Sequence, residues 1–367
     1  MLIYYLLVGV PLVLSIIRRY GISIKISGSN LGKREKQAPK DSVIMVFFIF
    51  FFALLALRRE DVGVDIKQYV RYFKYARNYS FGGYLGSFSN ERGFYALTKI
   101  ISIFTDNARW FLVVMAVITV FPLMHFYSRE SEHPMLTIAF FLISPLFAML
   151  FSGLRQSIAI AMVVPAYYLL KRRKLLWFIL VVAFASLFHQ SAWIFLLLYP
   201  VYYMKWSRKV LLVILPILVL IYLFNAKIYL ALATLWGDEY SVYAEVSETG
   251  AFMLLLLFVL CSLFAYFILD EEKADAETLG LRNICIVSTA LQVFSVSNPI
   301  ASRMNYYFIL FFPIMIPKVI NRCSDKNKKW CTIIGWVMTA YFLFYFFRRA
   351  HTGADILQTY PYYAFWQ

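Results

Sequence analysis

The chain has 367 residues, of which 62% are hydrophobic and only 15% charged, with a net charge of +16 and a mean hydropathy of +0.68. That balance excludes a soluble domain of this size, and the alternating pattern of a membrane β-barrel is absent. The positive charge is spread over short loops instead of lying on one face or stripe, which argues against nucleic acid as a partner.

The expected fold is all-α and polytopic, because backbone exposed to lipid must satisfy its hydrogen bonds within each segment. A span needs about 20 apolar residues. The first apolar run, 1–17, has no basic residues before it, so it reads as a retained span and not a cleaved signal. Further spans are expected at 42–57, 110–127, 135–152, 155–170, 175–189, 190–204, 209–225, 251–269, 282–298, 304–320 and 330–347, about twelve in all. Residues 93–104 are too short, carry Lys99, and read as an interfacial or re-entrant helix. With that segment not crossing, the basic loops 18–41, 128–134, 171–174, 205–209, 270–282 and 318–329 fall on one side and hold 22 of the 36 Lys and Arg. The positive-inside rule then puts both termini outside.

In that topology residues 58–92 form a long external loop. Its 65–78 stretch reads as a short amphipathic helix, with Asp65 at its start and Tyr69, Tyr72 and Phe73 at helical spacing. Gly82, Gly83 and Gly86 are expected to break helix after it. The other external parts are 226–250, with Asp238, Glu239, Glu245 and Glu248, and an aromatic tail at 348–367. The whole reads as a single membrane domain over 1–367. No internal repeat is present, which weakens an inverted-repeat transporter reading.

Four arginine signals fall at or just beyond ends of apolar runs on the external side: Arg58 with Arg59, Arg155, Arg303, and Arg348 with Arg349. Charge at membrane depth is costly and marks a cavity or pathway. Converging guanidinium groups suit an anionic, lipid-borne substrate, with phosphate the first candidate. Arg155 is the strongest, beside Gln156 and after Gly153; the plain alternative is an arginine snorkelling to the interface. Candidate proton acceptors are Asp65, His189, Asp61 and Glu91. His189 lies in a Phe-His-Gln-Ser turn that also offers Gln190. The alternatives are a packing histidine, a helix cap or arginine partner at Asp65, and solvated loop carboxylates at Asp61 and Glu91. Tyr69, Tyr72, Phe73, Tyr306 and Tyr307 could pack on sugar faces, or simply anchor and fill the core. Lys99 and Thr98 could line the same cavity. The four cysteines and four histidines show no metal-ligand spacing. There is no P-loop, GxGxxG or nucleophile elbow, so no metal and no cofactor is expected.

The stretches LRREDVGVDIKQY, ERGFYALTKI, SGLRQSIAIAM, FASLFHQSAWIFL and SRMNYYFIL, in that order from about residue 40 to about residue 320, resemble the EpsG family, similar in role to Wzy polymerases of O-antigen, capsule and exopolysaccharide synthesis. The matching positions are Arg59, Val62, Gly63, Asp65 and Tyr69, then Leu154, Arg155 and Gln156, then Phe188, His189 and Ser191. The resemblance implies a metal-independent glycosyltransferase of the bacterial cytoplasmic membrane. It would join oligosaccharide repeat units carried on undecaprenyl diphosphate, at the outer face, using Arg155, His189 and Asp65 in the chemistry. Arg58, Arg59, Asp61, Tyr69, Glu91, Gln156, Gln190, Arg303 and Tyr307 would contact the substrates. Its partners would be the donor and acceptor lipids, the bilayer, a chain-length regulator and a flippase. The competing readings are a flippase or other transporter of the same lipid-linked oligosaccharide, an acyltransferase, and a non-catalytic assembly subunit.

Overall fold

The computed structural model describes residues 1–19, 41–205, 216, 219–224, 227–228, 249–295, 299–353 and 357–367. The protein is helical, and among the described residues no strand occurs beyond two isolated bridges, Arg58 with Ala364 and Leu269 with Cys323. Two compact units are present, one of Met1–Val164 with Ile334–Gln367 and one of Pro165–Ile333.

In the first unit the helices are α1 (Leu2–Arg19), α2 (Ser42–Leu57), α3 (Ile66–Ala76), α4 (Phe81–Gly86), α5 (Arg92–Phe104), α6 (Ala108–Glu130), α7 (Pro134–Ile143) and α8 (Pro145–Ser152). Asp41 caps α2, its carboxylate accepting from the Val43 amide at 2.9 Å, and its own amide reaches the Ser128 carbonyl at 3.0 Å. At the far end of α2 the Ala56 carbonyl accepts from Arg109, which opens α6, at 3.1 Å. The two helices therefore run antiparallel. Their shared core explains much of the high aromatic content: Phe48 stacks on Tyr127 at 5.6 Å, and Phe141 meets Phe47 and Phe48 edge-on or tilted at 5.8 and 5.3 Å. Arg18, near the end of the first span, pairs with Asp41 at 3.0 Å. Two of the basic loops thus meet at one end of the unit.

The segment from 58 to 109 stays at the opposite end. The α3 helix lies where the amphipathic pattern puts it, burying Ile66, Tyr69, Val70, Phe73 and Ala76. The glycines that were expected to break helix instead lie within α4, capped by Ser80, whose hydroxyl accepts from the Gly83 amide at 3.1 Å. Nothing crowds Gly82 or Gly86, so a capped turn forms there. The short α5 helix does not leave this end: Lys99 donates to the Ala76 carbonyl at 2.9 Å, and Asp106 pairs with Arg77 at 2.8 Å.

Helix α9 (Leu154–Lys171) carries the chain into the second unit, which holds α10 (Leu175–Ser186), a 3₁₀ segment (Gln190–Leu197), α11 (Leu198–Tyr203), α12 (Thr249–Ile268), α13 (Ala276–Ser295), α14 (Pro299–Ile309) and α15 (Phe312–Asn321). The last helix, α16 (Lys328–Thr352), returns the chain to the first unit. Three further basic loops meet at one end of the second unit. Glu277 accepts from Lys171 at 2.7 Å, Lys318 at 3.0 Å and the Tyr167 hydroxyl at 2.9 Å. Arg322 pairs with Asp275 at 2.9 Å and Lys273 with Asp325 at 2.7 Å. Further in, a buried polar chain joins α13 to α14: Ser288 donates to the Asn305 side-chain oxygen at 2.7 Å, and the Asn305 amide donates to Gln292 at 2.9 Å.

Among the described residues three helical stretches, Leu2–Arg19, Ala108–Glu130 and Asp325–Thr352, are long and apolar enough to cross a membrane, and the pair α7 and α8 makes a fourth if counted as one bent span. The chain is a membrane protein. Several of the twelve expected spans take other forms. The 135–152 run bends by 62° at Ser144. Pro145 supplies no amide and holds Ser144 extended, at φ −68 and ψ 148. The 304–320 run breaks at Leu310 and Phe311, where Pro313 falls in the first turn of the following helix. The 190–204 run opens as the 3₁₀ segment. Residues 209–225 and the loop 226–250 lie largely outside the described residues.

Candidate functional site

The arginine end of the first unit is built where three chain segments end together. The loop after α2 brings Arg58, Arg59, Asp61 and Asp65. The start of α5 brings Glu91. The break between α8 and α9 brings Ser152, Gly153, Arg155 and Gln156.

Arg155 sits at the start of α9. Its Nη1 donates to the Glu91 carboxylate at 2.5 Å and its Nε to the Tyr69 hydroxyl at 3.4 Å. The Arg155 side chain is 34% exposed, and among the described residues nothing accepts from Nη2. The entry to α9 is tight: a Cβ added at Gly153 would lie 2.6 Å from the Met149 sulfur. Gln156 is buried beside it. Tyr69 packs edge-on against Phe94 at 5.3 Å. Burial pushes the Tyr69 phenol above its ordinary value, so it stays a neutral partner for the guanidinium.

Asp65 occupies the cap position of α3, but its carboxylate does not cap that helix. It accepts from the Ser152 hydroxyl at 3.3 Å, and the Asp65 amide donates back to the Ser152 oxygen at 3.3 Å. The carboxylate is thereby joined to the segment that bears Arg155.

The neighbouring arginines are arranged differently. Arg58 is 1% exposed and donates to the Phe151 carbonyl near the end of α8. Its partner is a helix C-terminus, where positive charge is favourable. Arg59 grips Asp61 with two donors, each at 2.7 Å, and lies over the Tyr363 ring at 4.4 Å. That bidentate bond holds the Asp61 carboxyl below its ordinary range. Sequence reasoning missed Arg109. It donates to the Ala56 and Arg58 carbonyls at 3.1 and 2.7 Å and lies over Phe365 at 3.8 Å. The signal for it was present, since it too stands at the mouth of an apolar run.

The aromatic tail also belongs to this end. The Gly63 amide donates to Gln358 at 3.1 Å, the Arg59 amide to Tyr363 at 2.9 Å, and the Phe365 amide to Leu57 at 2.9 Å. The tail therefore straps the loop that follows α2. A shallow recess of about 380 Å³ lies beside α3, lined by Glu60, Lys67, Val70, Arg71, Lys74, Tyr75 and Asn78. Arg155 is not among its lining residues.

The second unit gathers the remaining candidates. His189 is half-buried and precedes the 3₁₀ segment, and Gln190 is exposed at its start. The Ser191 and Tyr307 hydroxyls are 3.2 Å apart. Tyr307 is buried on α14, one turn after the exposed Arg303. The FHxS turn and the SRMNYY segment are thus joined through Ser191 and Tyr307. Among the described residues no group of three or more His, Cys, Asp or Glu side chains is placed to hold a metal ion.

Comparison with known proteins gives one family. Searches among curated proteins and among solved structures each return no match. The family model described as EpsG matches residues 42–363, which takes in both units and most of the tail that the sequence motifs left unmatched. The chain belongs to the EpsG family, a family of Wzy-type polymerase-like proteins.

Proposed function

We propose that this protein joins oligosaccharide repeat units carried on undecaprenyl diphosphate, at the outer face of the cytoplasmic membrane. The terminal hydroxyl of the acceptor sugar attacks the anomeric carbon of the donor. The bond from that carbon to the diphosphate oxygen breaks, and its electron pair leaves with the lipid diphosphate. The hydroxyl proton passes to a nearby base, for which Asp65 and His189 are the candidates. Charge accumulates on the departing diphosphate, so the site needs cations aimed at it. Arg155 supplies the first of them without a divalent ion, because guanidinium stays ionised and binds phosphate oxygens through a planar fork. Arg59, Asp61, Tyr69 and Gln156, in the same unit as Arg155, add contacts to the substrates. A chain-length regulator and a flippase act on either side of the reaction.

The observation that carries this reading is the half-open guanidinium of Arg155, held on two sides in a chain of the EpsG family. It is tested by examining polysaccharide from cells carrying wild type, Arg155→Ala or Arg155→Lys, with protein levels in the membrane matched. The expected result is collapse of the ladder to single repeat units that still reach the cell surface, with Arg155→Lys recovering only part of the polymer. Single units accumulating on the cytoplasmic side would overturn the polymerase reading in favour of a flippase.

A further inference from the structure

We infer that Glu91 is a positioning residue, kept in an unfavourable backbone conformation because its carboxylate orients Arg155 with one edge open. This rests on the polymerase reading of the site. Glu91 has φ 56 and ψ 36, in the left-handed region that glycine and asparagine tolerate and long side chains seldom adopt. It stands at the cap position of α5, where Ser, Thr, Asp, Asn or Gly would be usual. Its carboxylate makes no cap bond to that helix. Instead the side chain is 7% exposed and meets Arg155, 64 residues further along the chain, at 2.5 Å. A backbone strained away from helix-capping needs, with the side chain buried against a candidate site arginine, is the pattern expected where strain serves function.

The geometry also states what the carboxylate does. Tyr69 takes Nε and Glu91 takes Nη1, so the plane of the guanidinium is fixed from two sides. Nη2, unaccepted among the described residues, is the donor left to face an incoming anion. A fixed fork loses little orientational freedom when a diphosphate arrives, whereas a loose arginine loses much. Glu91 lowers the net charge of the pair, so its contribution is orientation and not attraction.

The test uses the full chain in lipid nanodiscs, polymerising lipid-linked repeat units, with Glu91→Gly and Glu91→Gln made alone and on Arg155→Ala. Glycine is at ease at φ 56, which offsets the lost ion pair with Arg155, so Glu91→Gly is expected to unfold near the wild-type temperature while kcat falls at least tenfold and KM for the donor changes little. Glu91→Gln should lose a similar factor. Neither should slow the Arg155→Ala protein further. The inference is overturned if Glu91→Gly stays within twofold of wild type, if its loss tracks a fall in unfolding temperature, or if the loss multiplies in full on Arg155→Ala. A wild-type protein that makes no polymer removes the polymerase reading and this inference with it. An active wild type with an active Glu91→Gly removes this inference alone.

Discussion

Gly63 shows how tightly the arginine end is built, and Gly63→Ala is the sharpest perturbation of it. Its backbone has φ +100, and an added Cβ would stand 2.3 Å from the Phe151 carbonyl oxygen, 2.9 Å from its carbon and 3.0 Å from Ile66 Cγ1. Two costs combine. The backbone cost of a left-handed conformation for a residue with a Cβ is roughly 1–2 kcal/mol. Overpacking against atoms that must shift adds roughly 1–3 kcal/mol. The neighbours have little room to move. The Phe151 carbonyl already holds Arg58, the next residue, Ser152, holds Asp65, and the Gly63 amide is tied to Gln358 at 3.1 Å. Gly63→Ala should therefore destabilise by about 2–5 kcal/mol. Equilibrium unfolding in mixed micelles measures this, with Gly82→Ala as control. Gly82 has nothing within 4 Å of an added Cβ and lies inside α4, so alanine there should be neutral or stabilising by about 0.5–1 kcal/mol. If Gly63→Ala unfolds with the same free energy as wild type, the account of this end as a closely interlocked turn is wrong.

Three other outcomes follow from the same geometry. Arg109→Ala removes two hydrogen bonds to carbonyls and the contact with Phe365. It should cost about 2–4 kcal/mol and speed hydrogen exchange in the tail amides of Tyr363 to Phe365. Glu277→Ala leaves Lys318, with a side chain only 8% exposed, facing Lys171 without their shared carboxylate. The expected loss is about 3–5 kcal/mol, and Glu277→Ala with Lys318→Met should recover part of it in unfolding measurements. For pH, the Asp61 carboxyl is held below its ordinary value of 3.8, first by the hydrogen bond from Arg59. Its stabilisation is therefore fully present above that value and is lost as pH falls through the lowered one. The two side chains are 37% and 33% exposed, so the effect is below about 1 kcal/mol and shrinks in salt. A carbon-13 titration of Asp61 should move toward the ordinary value in Arg59→Ala.

The features legible in sequence are those that depend on neighbours along the chain. The amphipathic stripe of Tyr69, Val70 and Phe73 announced α3, and a short run containing Lys99 announced a helix that stays at one end. A counting rule put all the basic loops on one side; within each unit some of them do meet, through the Asp41 amide on the Ser128 carbonyl in the first and through Glu277 with Lys171 and Lys318 in the second. Apolar windows did not reveal the breaks at Pro145 and Pro313, because hydropathy does not register a missing amide. They also failed at Gln190–Leu197, where apolar content did not reveal a 3₁₀ turn. The pair Glu91 and Arg155 could not be read from sequence, since no periodicity links residues 64 apart. Nor could the tail, whose bonds to the loop after α2 are made by backbone groups that any residue carries.

The arginines of this end separate by what they already hold, and that separation bears on which of them acts. A helix that ends in apolar surroundings leaves carbonyls and partial negative charge that need a donor. Arg58 meets that need for α8 and Arg109 for α2. Arg59 has its fork closed by Asp61. Of these four, Arg155 alone is fixed by a carboxylate on one donor and a phenol on another while a third donor is unaccepted among the described residues and the side chain is partly exposed. The order of effects should follow. Substituting Arg58 or Arg109 should lower the amount of folded protein, and activity with it in proportion. Substituting Arg155 should leave the amount of protein and abolish polymer. A polymer yield per molecule that falls equally for Arg58→Ala and Arg155→Ala would mean that helix ends and substrate share the same cations, and the division drawn from their hydrogen bonds would not hold.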